Sequence, residues 1–257
     1  GWTTNSDGTG TPFSDMQTVK NLTSKQNEVI TLYARWTPQA YIIQFAGGGA
    51  TAGAMESQTL RYGEAQNLLP NQFVREGYRF KNWRVVIDNK SSYYDDQALV
   101  QNLTDETGRV LTFTAQWTAN SYTIKYDKNA DDATGTMELQ HIAYDEDKAL
   151  LPNQYERTGY LFTGWNTSPD GSGTHYADEE GIRNLTDQDG AVITLYAQWR
   201  QTSYQIAFDP NGGEGLMEPI QAYYDTTTTL PANTFWKEGY PFSGWSTTKD
   251  GSGATYQ

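Results

Sequence analysis

The 257 residues predict a mainly β protein, α+β at most, built as a tandem array of small repeat units. Three observations carry that reading. The composition suits pleated sheet and tight turns, with 18 Tyr, 8 Trp and 24 Gly beside frequent Thr and Val. Aromatics at 14% can bury enough surface to offset chain entropy, although the apolar total is only 37%. The tryptophans recur at a fixed step, which marks repeats rather than one large domain.

Trp2, Trp83, Trp165 and Trp245 are spaced by 81, 82 and 80 residues, and Trp36, Trp117 and Trp199 by 81 and 82. Tyr41, Tyr122 and Tyr204 follow the same step. The segments "LLPNQFVREGYRFKNW" (68–83), "LLPNQYERTGYLFTGW" (150–165) and "LPANTFWKEGYPFSGW" (230–245) are one motif. A second comprises "NLTSKQNEVITLYARW" (21–36), "NLTDETGRVLTFTAQW" (102–117) and "NLTDQDGAVITLYAQW" (184–199). Four segments result: 1–37 as the C-terminal half of a repeat, 38–119 and 120–201 as complete repeats, and 202–257 as the N-terminal two-thirds of one. Gly1 and Gly244 stand at the same phase, so the chain is expected to be a segment of a longer array.

One repeat, residues 122–199, shows the elements in order. "YTIKYD" alternates and opens a strand with Tyr122, Ile124 and Tyr126 on one face. "KNADDATG" is a turn whose counterparts are "AGGGATAG" (46–53) and "DPNGGEG" (209–215). "MELQHIAYD" predicts a second, antiparallel strand. "LLPNQYERTGYLFTGW" predicts a corner and a third strand through Tyr160, Phe162 and Trp165, and Gly159, Gly77 and Gly239 recur at its start. "ADEEGIRNLT" is read as a short helical turn, and "AVITLYAQW" as the closing strand. Four to five strands fill so small a unit only if the recurring aromatics form its core. The expected core anchors are Trp2, Trp36, Trp83, Trp117, Trp165, Trp199 and Trp245 with Tyr78, Tyr160 and Tyr240. The linkers "TPQA" (37–40), "TANS" (118–121) and "RQTS" (200–203) reach only about 15 Å when extended, so a semi-rigid rod is expected.

The "GY-x-F-x-GW" run, the "DGSG" turn and the closing "NLT…VITLYAQW" resemble the Listeria–Bacteroides repeat, also known as the internalin B-repeat. "YQIAFDPNGG" (204–213) is similar to the family's opening strand. The resemblance covers the whole chain. It implies β-grasp-like modules (ubiquitin- or SUMO-like) in tandem within secreted or cell-wall-attached bacterial proteins, often adhesins, acting as stalks or partner-binding spacers. Segment 82–94, "NWRVVIDNKSSYY", departs from the pattern: Asn82 replaces the usual Gly and "DGSG" is missing, so a different turn is expected.

A net charge of −13 argues against nucleic acid and anionic membranes as partners. The charge is uneven: residues 122–203 carry −8, from 6 Lys and Arg against 14 Asp and Glu. No cysteine occurs, which excludes disulfides, thiolate metal sites and cysteine nucleophiles. No apolar run approaches 18 residues, so no membrane insertion is expected. His141 and His175 have no histidine counterparts in other repeats, and neither G-x-S-x-G nor H-E-x-x-H occurs. The pairs Glu179–Glu180 and Asp131–Asp132 are read as solvated surface groups rather than acid/base machinery. The oxygen-rich stretches 127–135 and 168–180 lack the twelve-residue calcium spacing and read as ordinary turns. Asn21, Asn102, Asn184 and Asn166 match the glycosylation pattern, yet a core Leu with a polar turn explains the three NLT copies. No lysine recurs across repeats as an isopeptide crosslink would require.

No catalytic residue, cofactor or metal is therefore expected. Trp236 is the one tryptophan outside the repeat pattern, with Val74 and Glu156 in its place elsewhere, and is the candidate partner contact. Expected partners are neighbouring repeats of the same chain, with other copies of the chain or a host surface component as further candidates. The leading functional reading is a non-enzymatic stalk, spacer or filament segment outside a bacterial cell. The alternative is an adhesion module binding a host protein or glycan through exposed aromatics.

Overall fold

The computed structural model describes residues 1–257 and is built from strands and turns, with no helix. The chain divides into two compact units, 1–119 and 120–257.

In the first unit, residues 1–36 form a small antiparallel sheet of Pro12–Phe13, Trp2–Thr3 and Tyr33–Ala34. The five-stranded sheet that follows runs, edge to edge, Gln58–Arg61, Ala40–Ala46, Val110–Ala119, Tyr78–Ile87 and Lys90–Tyr94. Its opening and closing strands, Ala40–Ala46 and Val110–Ala119, lie parallel at the centre, with Phe45 opposite Phe113. The other three pairings are antiparallel. Alternation decides which face is buried: Tyr41, Ile43 and Phe45 point inward from the opening strand, and Leu111, Phe113 and Ala115 from the closing one. Leu68 and Val100 join this core from a short ladder, Gln66–Asn67 with Leu99–Val100, Leu68 following directly on its first strand.

The second unit repeats the plan. Gln140–Ala143, Ser121–Asp127, Val192–Gln201, Tyr160–Asn166 and His175–Tyr176 make a five-stranded sheet with the same parallel centre. Tyr122, Ile124, Tyr126, Ile142, Leu150, Trp165 and Leu195 form its core. Beyond it, residues 203–256 contribute two short ladders, Ser203–Ile206 with Ile220–Tyr223 and Trp245–Ser246 with Thr255–Tyr256.

One feature of the third strand reconciles the F-x-x-W spacing with a sheet. Strict alternation would put Phe162 and Trp165 on opposite faces. A β-bulge at Thr163 resolves this: Phe162 pairs with Trp199, Gly164 with Gln198, and Thr163 has no partner in the ladder. Phe162 and Trp165 then meet at 4.9 Å between ring centroids, and Phe162 also packs on Trp199 at 5.8 Å. Lys81 occupies the corresponding bulge in the first unit, where Phe80 meets Trp83 at 5.0 Å and Trp117 at 5.8 Å.

Two expectations are corrected. Residues 177–185 form no helical turn: Glu179 has φ 56 and Asn184 φ 49, both left-handed, and Gly181–Ile182 pairs with Lys148–Ala149 instead. The second and third linkers are shorter than the predicted four residues, whereas five residues, 35–39, separate the strands at the first. The closing strands run on through Ala119 and Gln201, pairing with Tyr78 and Tyr160, and leave one residue each, Asn120 and Thr202, before the next strand.

Candidate functional site

The tryptophans fall into three environments. Trp83 and Trp165 are fully buried, each ringed by aromatics, Phe45, Phe73 and Phe80 around the first and Tyr126, Tyr155 and Phe162 around the second. Their Nε1 atoms have no hydrogen-bond partner, so these indoles act through packing. Trp117 and Trp199 are half-buried and donate Nε1–H to the carbonyls of Gly47 (2.8 Å) and Lys128 (2.9 Å). Trp245 is also half-buried, against Phe208, Phe235 and Phe242.

Trp2, Trp36 and Tyr240, expected as core, are exposed; Trp36 is 88% accessible. The reason is local. Trp117 donates to the Gly47 carbonyl and packs on Phe80, whereas Trp36 makes no comparable contact with residues 1–35. Tyr240 similarly lacks the closing strand that Gln201 provides opposite Tyr160. Tyr78 and Tyr160 are half-buried, each beneath an arginine guanidinium, Arg75 at 3.7 Å and Arg157 at 3.6 Å.

The "DGSG" turn is organised by its own aspartate. Asp170 Oδ1 accepts the amide (3.0 Å) and hydroxyl (2.7 Å) of Ser172. These bonds hold its carboxyl below the ordinary carboxylate range. Asp7 and Asp250 repeat the arrangement with Thr9 and Ser252, and Asp250 is held down at about 2. Asn166 sits buried behind the turn and donates to the carbonyls of Gly171 and Gly173. The acceptor capacity of this loop is thus directed at its own backbone.

The residues weighed for chemistry are dispersed. His141 lies on one outer strand of its sheet and His175 on the opposite one. His141 Nδ1 is 2.9 Å from Thr123 Oγ1, and His175 covers Gly164. Asp132 pairs with Arg157, and Glu180 accepts the amide of Ala177. No group of three His, Cys, Asp or Glu side chains converges on a point that could hold a metal ion.

The NLT asparagines have a role that sequence reasoning missed. Asn102 and Asn184 are left-handed at φ 52 and 49, and their Oδ1 atoms accept the amides of Gly63 and Asp145, both at 2.6 Å. They tie the start of the closing segment to the turn after the second strand. The available signal was the recurrence of Asn itself, since this residue tolerates the left-handed region better than other non-glycine types. Trp236 is 58% exposed and bridges to Glu214 by paired backbone bonds (2.8 and 2.9 Å). Val74 and Glu156 make the same bridge with Ala52 and Thr134. The backbone position is therefore common to the repeats, and only the side chain is new.

The family model of the Listeria-Bacteroides repeat domain matches residues 41–104, 122–198 and 204–257. Two proteins of Evansella cellulosilytica are similar to the chain. One, named "Putative Gly-rich membrane protein", is 36% identical over 173 residues, 66% of this chain and 19% of that protein. The other, named "Putative membrane protein", is 29% identical over 240 residues, 90% of this chain and 32% of that protein. The chain thus spans a third or less of the length of either relative.

Proposed function

The chain belongs to the Listeria-Bacteroides repeat domain family, and from that premise we propose that it is a non-enzymatic stalk, spacer or filament segment of a bacterial surface protein. Its repeating units are then 38–119 and 120–201, flanked by partial repeats at 1–37 and 202–257. The observation that carries this reading is the economy of the repeated parts. What recurs is a buried tryptophan beside a bulged strand in both five-stranded sheets, and a turn whose aspartate binds its own loop at Asp7, Asp170 and Asp250. The single-residue connection at Thr202, within the second unit, supports limited flexibility between the repeats it joins, and the names of the two relatives support a place at the cell envelope. Small-angle scattering of the 257-residue chain tests it. A maximum dimension near that of repeats laid end to end is expected, on the order of 30 Å per repeat; that of one globule of this mass would refute the reading.

Exposed aromatics favour a second reading, an adhesion module for a host protein or glycan. Trp236 at 58% exposure beside Lys237 and Glu238 is the side chain suited to it. Binding to a surface component that Trp236→Ala abolishes, with folding intact, would support this reading over a plain spacer.

A further inference from the structure

Within the 120–257 unit, Thr202 is the single residue between the closing strand Val192–Gln201 and the next opening strand Ser203–Ile206. Its amide and its hydroxyl both donate to the Gly159 carbonyl, at 2.9 and 3.0 Å. On its other side, the Tyr224 amide donates to the Thr202 carbonyl at 3.0 Å. One residue is thus held by the turn that opens the third strand of one repeat and by the second-strand turn of the next. Gln201 Nε2 adds a bond to Thr226 Oγ1 at 3.3 Å.

The ring of Tyr224 completes the arrangement. It meets Tyr160 edge-on, with centroids 6.1 Å apart and planes at 76°. Tyr160 in turn lies under Arg157, whose guanidinium pairs with Asp132 at 2.9 Å. Tyr224 also lies directly on the α-carbon of Gly159. A Cβ at Gly159 would stand 2.0 Å from Tyr224 Cδ1 and 2.1 Å from Cγ, where ordinary contact begins at 3.4 Å. Any side chain at 159 must therefore displace the ring.

Gly239 serves as an internal control. It stands at the same repeat position with φ 78 against 77 at Gly159, and the following tyrosine amide closes the same turn, at 3.1 Å in both. Yet nothing lies within 4 Å of a Cβ built on Gly239. The two turns share the left-handed backbone, and within this chain a ring lies on Gly159 and not on Gly239.

We propose that the bare surface at Gly159, edged by Tyr160, is a docking seat for the tyrosine-bearing turn of the following repeat. Tyr224 on Gly159 locks the two repeats in one orientation, where Thr202 alone would act as a swivel. The seat selects its partner by shape: it takes an aromatic ring at the position that Tyr62, Tyr144 and Tyr224 occupy in their repeats. This bears on the stiffness of a stalk but does not rest on that reading, since the joint belongs to the two repeats whatever the array is for.

Residue-resolved amide hydrogen exchange on the 257-residue chain tests the seat, comparing the parent with Tyr224→Ala, Gly159→Ala and Gly239→Ala. Tyr224→Ala and Gly159→Ala are expected to speed exchange at the Thr202 and Tyr224 amides by roughly tenfold, the size of a lost aromatic pair. Core amides such as that of Leu195 should keep their protection, and Gly239→Ala should leave Thr202 and Tyr224 unchanged. Should Gly159→Ala fail to fold, Tyr224→Ala decides alone, because it adds no backbone strain. Unaltered protection of Thr202 in Tyr224→Ala would overturn the proposal. Equal acceleration in Gly239→Ala would also overturn it, by assigning the effect to turn strain. A compact scattering profile with the joint intact would count against the stalk and not against the seat.

Discussion

The five-stranded sheets of the first and second units are built alike over the same tryptophan position but finish their outer edges differently. In the first unit's sheet the third strand runs ten residues, Tyr78–Ile87, and returns through Asp88 and Asn89 into Lys90–Tyr94. Both turn residues are left-handed, φ 50 and 63, which is the two-residue hairpin geometry that matches strand twist. In the second unit's sheet the strand stops at Asn166, the Asp170 loop intervenes, and only His175–Tyr176 returns. Trp83 and Trp165 are fully buried in both cases, and Tyr94 and Tyr176 take the same place opposite them. The comparison separates two requirements that the motif "GWNTSPDGSG" fuses: the core needs the tryptophan and the bulge, while the turn is exchangeable.

The strongest way to break that comparison is to remove the shared part. Trp165→Ala and Trp83→Ala should each cost about 3–5 kcal/mol, as core aromatic truncations do. Equilibrium denaturation should show the affected repeat melting first; a loss under about 1 kcal/mol in either would mean that these indoles are not the common anchor.

A smaller effect is expected where the repeats differ beside the bulge. Gly164 has φ 132, and a Cβ there would lie 2.6 Å from the Tyr176 carbonyl oxygen and 2.4 Å from the His175 ring. Asn82 holds the same position in the first unit's sheet without left-handed φ. Gly164→Ala should destabilise its repeat by about 1–3 kcal/mol. Asn82→Gly should cost only about 1 kcal/mol or less, through added backbone freedom. Thermal unfolding of the pair measures both, and equal effects would erase the distinction between the two edges.

The smallest effect concerns acid. The Asp170 carboxyl is held low by the Ser172 hydroxyl and amide, so its contribution is present above the ordinary aspartate pKa of about 3.9 and is lost as pH falls through the lower folded value. Amide exchange at Ser172, after correction for its intrinsic pH dependence, should therefore quicken relative to neutral pH as the solution is taken below about pH 4. The turn at Asp88 and Asn89, closed by the Ile87–Lys90 backbone pair, should hold. Identical acid responses of the two turns would show that the aspartate does not organise its loop.

Much of this architecture was legible in advance. The period of the tryptophans, the alternation in "YTIKYD" and "AVITLYAQW", and the departure at Asn82 announced the repeats, their central strands and the altered edge. The bulge at Thr163 was not legible, because F-x-x-W reads as a broken alternation until a partner strand shows which residue is skipped. Nor was the pairing of Ala119 and Gln201, since a linker and a strand end differ only in what lies opposite. The exposure of Trp36 is the same lesson in reverse: its residue type and spacing match Trp117, but burial belongs to the surroundings rather than to the residue.

What the sequence determined by itself is therefore the repeat, the residue types of its core and the chemistry of its turns, for these depend on short-range periodicity and on the φ preferences of Gly and Asn. The tertiary structure alone decided which strands lie parallel at the centre, which tryptophans are covered and where Tyr224 lands. Each of these depends on residues brought together from far apart in the chain, as Trp117 is with Gly47 and Tyr224 with Gly159. Their energies come from surfaces that exist only once both partners are in place.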